Sequence, residues 1–347
     1  MKYSTTYVED LSKAQSSCPE LFKLNGKKIL ITGATGLVCS VVVDFIMNYN
    51  EKNDAGITVY ATSRDVERCK KRFDKYLSRE DIVFVKYDAL CNVEWDFDVD
   101  YIVCGAGLAN PTMYAGKPVE TMFSNIKGLS NILDYGRKCG SQRVLFVSSS
   151  EIYGKKENNQ PYRDDEYGYV DLLNPRACYP MAKRACETLC AAYYSEYGVE
   201  TVIARPGHIY GPTATEADTR ASSQFFFDVK NGKNIVMKSA GAQLRSYCYA
   251  VDCASAIITI LLSGVPGKAY NISNPDSVVT IAGLAQTIAN KSGKKVVFEN
   301  ATEEEKKGYN LMDNSSLDST SLLDLGWKGL FNVDDGVEHT LKIYNGI

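Results

Sequence analysis

Tyr179 and Lys183 stand four residues apart in the run Tyr179-Pro180-Met181-Ala182-Lys183. On a helix that spacing puts both side chains on one face. An ammonium beside a phenol favours the phenolate, so such a pair can act as a base near neutral pH. Thirty residues earlier, the apolar run Arg143-Val144-Leu145-Phe146-Val147 ends in Ser148-Ser149-Ser150-Glu151. A serine at a strand end can hold the hydroxyl or keto oxygen of a substrate whose proton the tyrosine moves. The trio Ser149, Tyr179 and Lys183 therefore points to oxidation and reduction at an alcohol carbon.

Such chemistry needs a hydride acceptor, and Thr32-Gly33-Ala34-Thr35-Gly36-Leu37-Val38-Cys39 predicts a place for one. The segment follows a compact apolar run, Lys28-Ile29-Leu30-Ile31, and opens a stretch of helical length with an apolar face, Leu37 to Tyr49. Strand, glycine turn and helix in that order are the context of a dinucleotide-binding loop. Gly33 permits the tight turn. Gly36 lets the backbone approach a pyrophosphate, which then sits at the helix N-terminus beside Thr35, Leu37 and Val38. Cys39 replaces the third glycine of the usual pattern and predicts a slightly wider helix–strand approach. The second strand ends in Thr62-Ser63-Arg64, where an NAD site carries an acid. Arg64 can pair with a 2′-phosphate and favour NADP. It also fits a plain solvated charge, with Asp65 serving the ribose. The cofactor is read as NAD or NADP. Asp88, with Ala89 after the third strand, can accept from the adenine amino group or cap a helix.

The elements that must hold these residues alternate. Predicted strands cover 28–31, 57–62, 82–85, 101–104, 143–147 and 200–204, with helices between them at 37–49, 65–77, 118–139 and 179–197. This rhythm predicts an α/β fold with a doubly wound parallel sheet. Residues 1–26 read as an N-terminal helical extension, open between covering the site and packing on a partner. Residues 27–210 read as the dinucleotide-binding domain with the Tyr/Lys pair. Residues 211–347 read as mainly a smaller substrate-binding lobe interleaved with the sheet, with a short helix at 281–292. Tyr60, Phe73 and Tyr76 read as core aromatics.

Net charge is −3 with no long basic run, which argues against nucleic acid as a partner. No apolar stretch approaches the roughly 20 residues of a membrane span. Eleven scattered cysteines without CxxC suit buried, reduced thiols in the cytoplasm. With only His208 and His339 besides, no metal site is expected.

The motif order resembles the extended short-chain dehydrogenase/reductase type, in the NAD-dependent epimerase/dehydratase family. The likeness runs from about Lys28 to the C-terminus and includes Asn125-Ile126-Lys127-Gly128, Arg205-Pro206-Gly207-His208-Ile209-Tyr210-Gly211-Pro212, Tyr270-Asn271-Ile272-Ser273 and Leu325-Gly326-Trp327. It implies a Rossmann fold and places Pro206, His208 and Ile209 near the nicotinamide, with His208 standing where the family usually has Asn. Motifs of the UDP-glucuronate decarboxylases are matched by Ser149-Ser150-Glu151, Asn174-Pro175-Arg176-Ala177-Cys178-Tyr179 and Arg245-Ser246-Tyr247-Cys248-Tyr249, and in part by Pro111 and Tyr114. That resemblance implies a nucleotide-diphosphate sugar worked through a 4-keto intermediate. Ser149 and Tyr179 would meet the 4-hydroxyl, and Glu151 would position the ring and manage protons. Arg245 would bind the diphosphate, unless it is a surface salt-bridge partner. Ser150, Pro111 and Tyr114 would line the sugar, and Arg176 fits either a substrate contact or a surface charge. Ser150 stands where 4,6-dehydratases carry an acid. A 4-epimerase, a 4,6-dehydratase, an NADPH-dependent reductase and a non-catalytic dinucleotide-binding protein remain alternatives. The likeness also implies a homodimer through helices 118–139 and 179–197, with Cys186, Cys190 and Tyr193 at or near the seam.

Overall fold

The structure, a computed structural model, describes residues 3–302 and 312–347. Helix α1 (Thr5–Gln15) precedes β1 (Lys28–Thr32), α2 (Leu37–Asn53), β2 (Thr58–Ser63), α3 (Val66–Arg72), β3 (Ile82–Lys86) and β4 (Tyr101–Cys104). There follow α4 (Pro111–Gly116), α5 (Pro118–Lys138), β5 (Arg143–Val147), α6 (Cys178–Tyr197) and β6 (Thr201–Pro206). The chain then adds β7 (His208–Tyr210), α7 (Ala221–Lys230), β8 (Ile235–Met237), β9 (Leu244–Tyr249), α8 (Ala250–Ser263) and β10 (Ala269–Ile272). Beyond these lie β11 (Val278–Thr280), α9 (Ile281–Ser292), β12 (Val296–Phe298), β13 (Asn314–Ser315) and a C-terminal helix, Val333–Tyr344.

Seven parallel strands form the main sheet in the order β10-β6-β5-β4-β1-β2-β3. The strand order reverses between β1 and β4, and open α/β sheets bind ligands at that switch point, beyond the strand ends. The interiors of β1 and β6 are buried because helices cover both faces, so β1 reads as an apolar run and β6 as one up to Arg205. Where a single helix over 65–77 is expected, α3 stops at Arg72, and a tight turn at Asp74–Tyr76 follows. Phe73 and Tyr76 are drawn fully into the core at that break, which outweighs helical continuity.

A smaller sheet is centred on β9, which pairs with β7, β11 and β13. His208 lies opposite Tyr247 in the β7–β9 register, so residues far apart in sequence share one wall. The later chain also returns to the main sheet, where β10 adds the strand beside β6, and α8 packs on α2. Helix α1 docks on α2, α8 and the C-terminal helix. Its side-chain hydrogen bonds reach Asp44 and Asn48 on α2, and Tyr249 and His339 beyond, none of them a site residue.

Candidate active site

Two strand ends build the dinucleotide cradle. Thr32 Oγ1, at the end of β1, accepts hydrogen bonds from the N–H groups of Gly105 and Ala106 after β4, at 3.1 and 3.0 Å. This stitches the two sides of the switch point together. Gly33 turns there with φ 69°, and a Cβ at this position would meet the Gly105 oxygen at 2.9 Å. Only glycine fits. Gly36 begins α2 without a side-chain cap, leaving first-turn N–H groups open to an anion. Cys39 is buried, and a Cβ on Gly105 would fall 2.3 Å from its sulfur. The bulk that Cys39 adds in place of a third glycine is therefore accommodated across the cleft by Gly105. Thr35 and Val38 are half-buried, and the Leu37 carbonyl is held by the Thr213 hydroxyl at 2.7 Å.

Arg64 is exposed at the tip of β2, next to half-buried Ser63. Asp65 is spent as the cap of α3, accepting the Arg68 N–H at 3.0 Å. Asp88 accepts the Leu90 N–H at 3.0 Å in a local turn. Ala89 lies against Gly128 of α5, where an added Cβ would sit 2.8 Å from the Ala89 methyl. Pro206 ends β6 in the buried core of the sheet, and Ile209 is buried in β7.

The chemical trio is set by β5 and α6. Ser148 points inward and donates to Glu187 at 2.5 Å, while Ser149 is half-exposed at the strand end. Glu187 lies one turn beyond Lys183 on α6 and is held by the buried Arg205 at 2.6 Å. Arg205 in turn donates to Tyr153 at 2.9 Å. The strand end and the helix are thus clamped together. Tyr179 and Lys183 do share one helix face. The Lys183 ammonium donates to the Val147 carbonyl at 2.8 Å and lies 5.7 Å from the centre of the Tyr179 ring.

Around the trio, several expected roles change. Arg176 grips Glu151 with two hydrogen bonds, 2.9 and 3.2 Å, and both groups are half-buried. It is neither a free surface charge nor a free substrate ligand, and Glu151 has both oxygens engaged. Pro111 opens α4 behind the Asn110 cap. Tyr114, on that helix, stacks on Tyr179 with ring centres 4.5 Å apart and planes 13° apart. The Arg176 guanidinium lies 5.3 Å from the Tyr114 ring centre. Burial, then Tyr179 and Glu151 nearby, push the Tyr114 phenol up, so it stays protonated. Ser150 is buried.

Arg245 is not a surface partner. It is 2% exposed, and among the described residues its guanidinium meets no carboxylate at ion-pair distance. Its hydrogen bond goes to the Leu244 carbonyl, at 2.9 Å. Burial lowers its pKa, against the opposing influence of Tyr247, Asp313 and Glu151. Burial, and the charges of Arg245 and Arg220, lower His208 to about 3. His208 is therefore a neutral imidazole at physiological pH, and its buried Nδ1 meets no partner among the described residues.

Arg220 was not foreseen. It chelates Asp218 through Nε, and its charge bears on Tyr114, Tyr179 and His208. Beside it, Thr219 donates to Asn110 at 2.8 Å, and Asn110 donates to the Ala217 carbonyl at 3.0 Å, tying this loop to α4. Only an acid and a base two residues apart hint at this in sequence. Cys186 and Cys190 are buried within the protein's own core, and Tyr193 is buried beside the exposed Tyr197. The two cysteines face the sheet because α6 turns its apolar stripe inward.

Comparison with known proteins matches this architecture. The family described as "NAD dependent epimerase/dehydratase family" matches residues 29–273. UDP-glucuronic acid decarboxylase 6 of Arabidopsis thaliana is 31% identical over 267 residues, covering 77% of this chain and 75% of that protein. UDP-glucuronic acid decarboxylase 1 of Xenopus tropicalis is 28% identical over 323 residues, 92% of this chain and 72% of that one. The dTDP-glucose 4,6-dehydratase of Bacillus anthracis, solved in complex with NAD, superposes with a TM-score of 0.76 at 18% identity, over 92% of this chain and 96% of that one. A glycine cradle at the switch point, a clamped Ser/Tyr/Lys set beside it and a match across most of the sheet lead to one conclusion: this chain belongs to the NAD-dependent epimerase/dehydratase family.

Proposed function

We propose that this nucleotide-sugar enzyme decarboxylates UDP-glucuronate. The observation that carries the reading is Arg245, a buried guanidinium that meets no carboxylate at ion-pair distance among the described residues, on a wall shared with His208 and in electrostatic range of Glu151. A forked cation in that state suits a diphosphate. The relatives named as UDP-glucuronic acid decarboxylases extend the reading to the sugar.

In this mechanism Ser149 holds the sugar 4-hydroxyl and Tyr179 takes its proton. Lys183, held by the Val147 carbonyl, stands beside the phenol. A dinucleotide whose pyrophosphate is held at Gly33–Val38 would supply the hydride acceptor for carbon 4 and the donor that later restores it. The 4-ketone so formed is β to the carboxylate, and carbon dioxide leaves. The site residues then protonate the enolate carbon and the 4-oxygen. Ser150, which is no general acid, disfavours loss of a 6-hydroxyl as the parallel path. Arg64 at the tip of β2 and the use of Asp65 as a helix cap favour NADP over the pattern's usual NAD. That pair also supports a second reading, an NADPH-dependent reductase on the same sugar.

Val119, Met122 and Phe123 on α5 and Tyr194 and Tyr197 on α6 are exposed on adjacent packed helices. They support a homodimer through these helices, with a seam different from the buried cysteines. Eleven free cysteines, mostly buried, support a reducing, cytoplasmic setting.

The test is a product assay with UDP-glucuronate and UDP-glucose, each with NAD and NADP. The reading predicts carbon dioxide and a UDP-pentose from the uronate. Net consumption of NADPH without carbon dioxide would overturn it in favour of the reductase.

A further inference from the structure

We infer that Glu151 masks the charge of Arg176 from the carboxylate of the sugar, and so leaves that carboxylate free to depart. The inference deepens the decarboxylase reading and rests on it.

Three arginines lie about the candidate site, in unequal states. Arg176 is neutralised by a two-point pair with Glu151, at 2.9 and 3.2 Å. Arg220 is neutralised by Asp218. Of the three, Arg245 meets no carboxylate at ion-pair distance among the described residues, and it sits on the β9 wall read as the diphosphate site. Arg176 reaches the Tyr179 phenol through Tyr114, the ring stacked on it. Its buried Nε meets no partner among the described residues, so the group keeps an unused donor despite the ion pair.

The chemistry explains why a neutralised arginine belongs here. In a 4-keto uronate the bond between carbon 5 and the carboxylate carbon breaks. Its electron pair moves toward the 4-oxygen, giving an enolate, and carbon dioxide leaves. A proton taken up from water then adds to carbon 5, and the hydride removed earlier returns to carbon 4. In the transition state negative charge drains from the carboxylate. A free guanidinium on that carboxylate would stabilise the reactant more than the transition state and slow the loss. Glu151 prevents this by holding Arg176 itself. Any later return of the hydride to either face would then act on a sugar that has already lost its acid.

Glu151→Gln keeps the side-chain volume and removes the charge that holds Arg176. Two readouts on the cofactor-loaded enzyme test the idea. The first is equilibrium binding by calorimetry, comparing UDP-glucuronate with UDP-glucose. Glu151→Gln should raise the preference for the uronate at least tenfold. Arg176→Met, which leaves Glu151 unpaired and repulsive, should lower it below the wild-type value. A merely structural role would move both variants the same way. The second is carbon dioxide released per carbon 4 oxidised. It should fall about tenfold in Glu151→Gln, with a 4-keto uronate or its 4-epimer accumulating, and recover in the double variant. Unchanged preference in Glu151→Gln, or an unchanged carbon dioxide ratio, overturns the inference. If the wild type releases no carbon dioxide yet the two single variants shift binding in opposite directions, the masking stands and the decarboxylase reading falls.

Discussion

His208 shows how one residue is tuned by its wall. It occupies the place where the family usually has asparagine, and two arginines and burial hold it near pKa 3. An ordinary histidine titrates near 6.5, so the folded value is depressed. The unfolded chain therefore takes up the proton first. His208 contributes stability that is fully present above about pH 6.5 and is lost as pH falls from there toward 3. His208→Asn should flatten this acid loss, which denaturant midpoints measured from pH 7 to pH 4 would show. A parallel acid slope in both proteins would remove His208 as its source. At this scale the shared helix face of Tyr179 and Lys183 was legible from their spacing, and the strand end at Ser149 from the apolar run before it. The Glu151–Arg176 pair spans 25 residues, and the charge state of Arg245 depends on burial. Neither could be read from neighbours in sequence.

At the scale of elements, the clamp between β5 and α6 does the positioning. Ser148, Glu187 and Arg205 form a chain of hydrogen bonds behind the site, with Arg205 2% exposed. Removing one partner of a buried ion pair strands the other and costs about 3–5 kcal/mol. Glu187→Ala should lose about that much in denaturant unfolding. A loss under 1 kcal/mol would show that Arg205 finds other partners. Strands β1 to β6 were legible as apolar runs between turn signals. The break of α3 at Phe73 was not, because a ring pulled into the core overrode a charged helical pattern. The Asp218–Arg220 loop carries no periodicity, so its place beside α4 appears only in the fold.

For the whole molecule, the chain ends hold the two sheets in register. Tyr3, Tyr7 and Arg72 converge on the buried Asp44, and Asp10 bridges Tyr249 and His339. Asp252 of α8 accepts the N–H groups of Leu330 and Phe331, and Trp327 donates to Ser255 on the same helix at 2.9 Å. The extension thus braces α2 against the later chain and does not cover the site, an arrangement that Met1–Lys27 could not disclose by composition.

The central claim is that the Tyr179 phenol, aided by Lys183 and Ser149, moves the proton that accompanies hydride loss. Rapid-mixing absorbance of the bound nicotinamide during one turnover of UDP-glucuronate tests it. A transient reduced nicotinamide is predicted in the wild type, slowed by about a hundredfold or more in Tyr179→Phe with sugar binding retained. An equally fast transient in Tyr179→Phe would contradict the account.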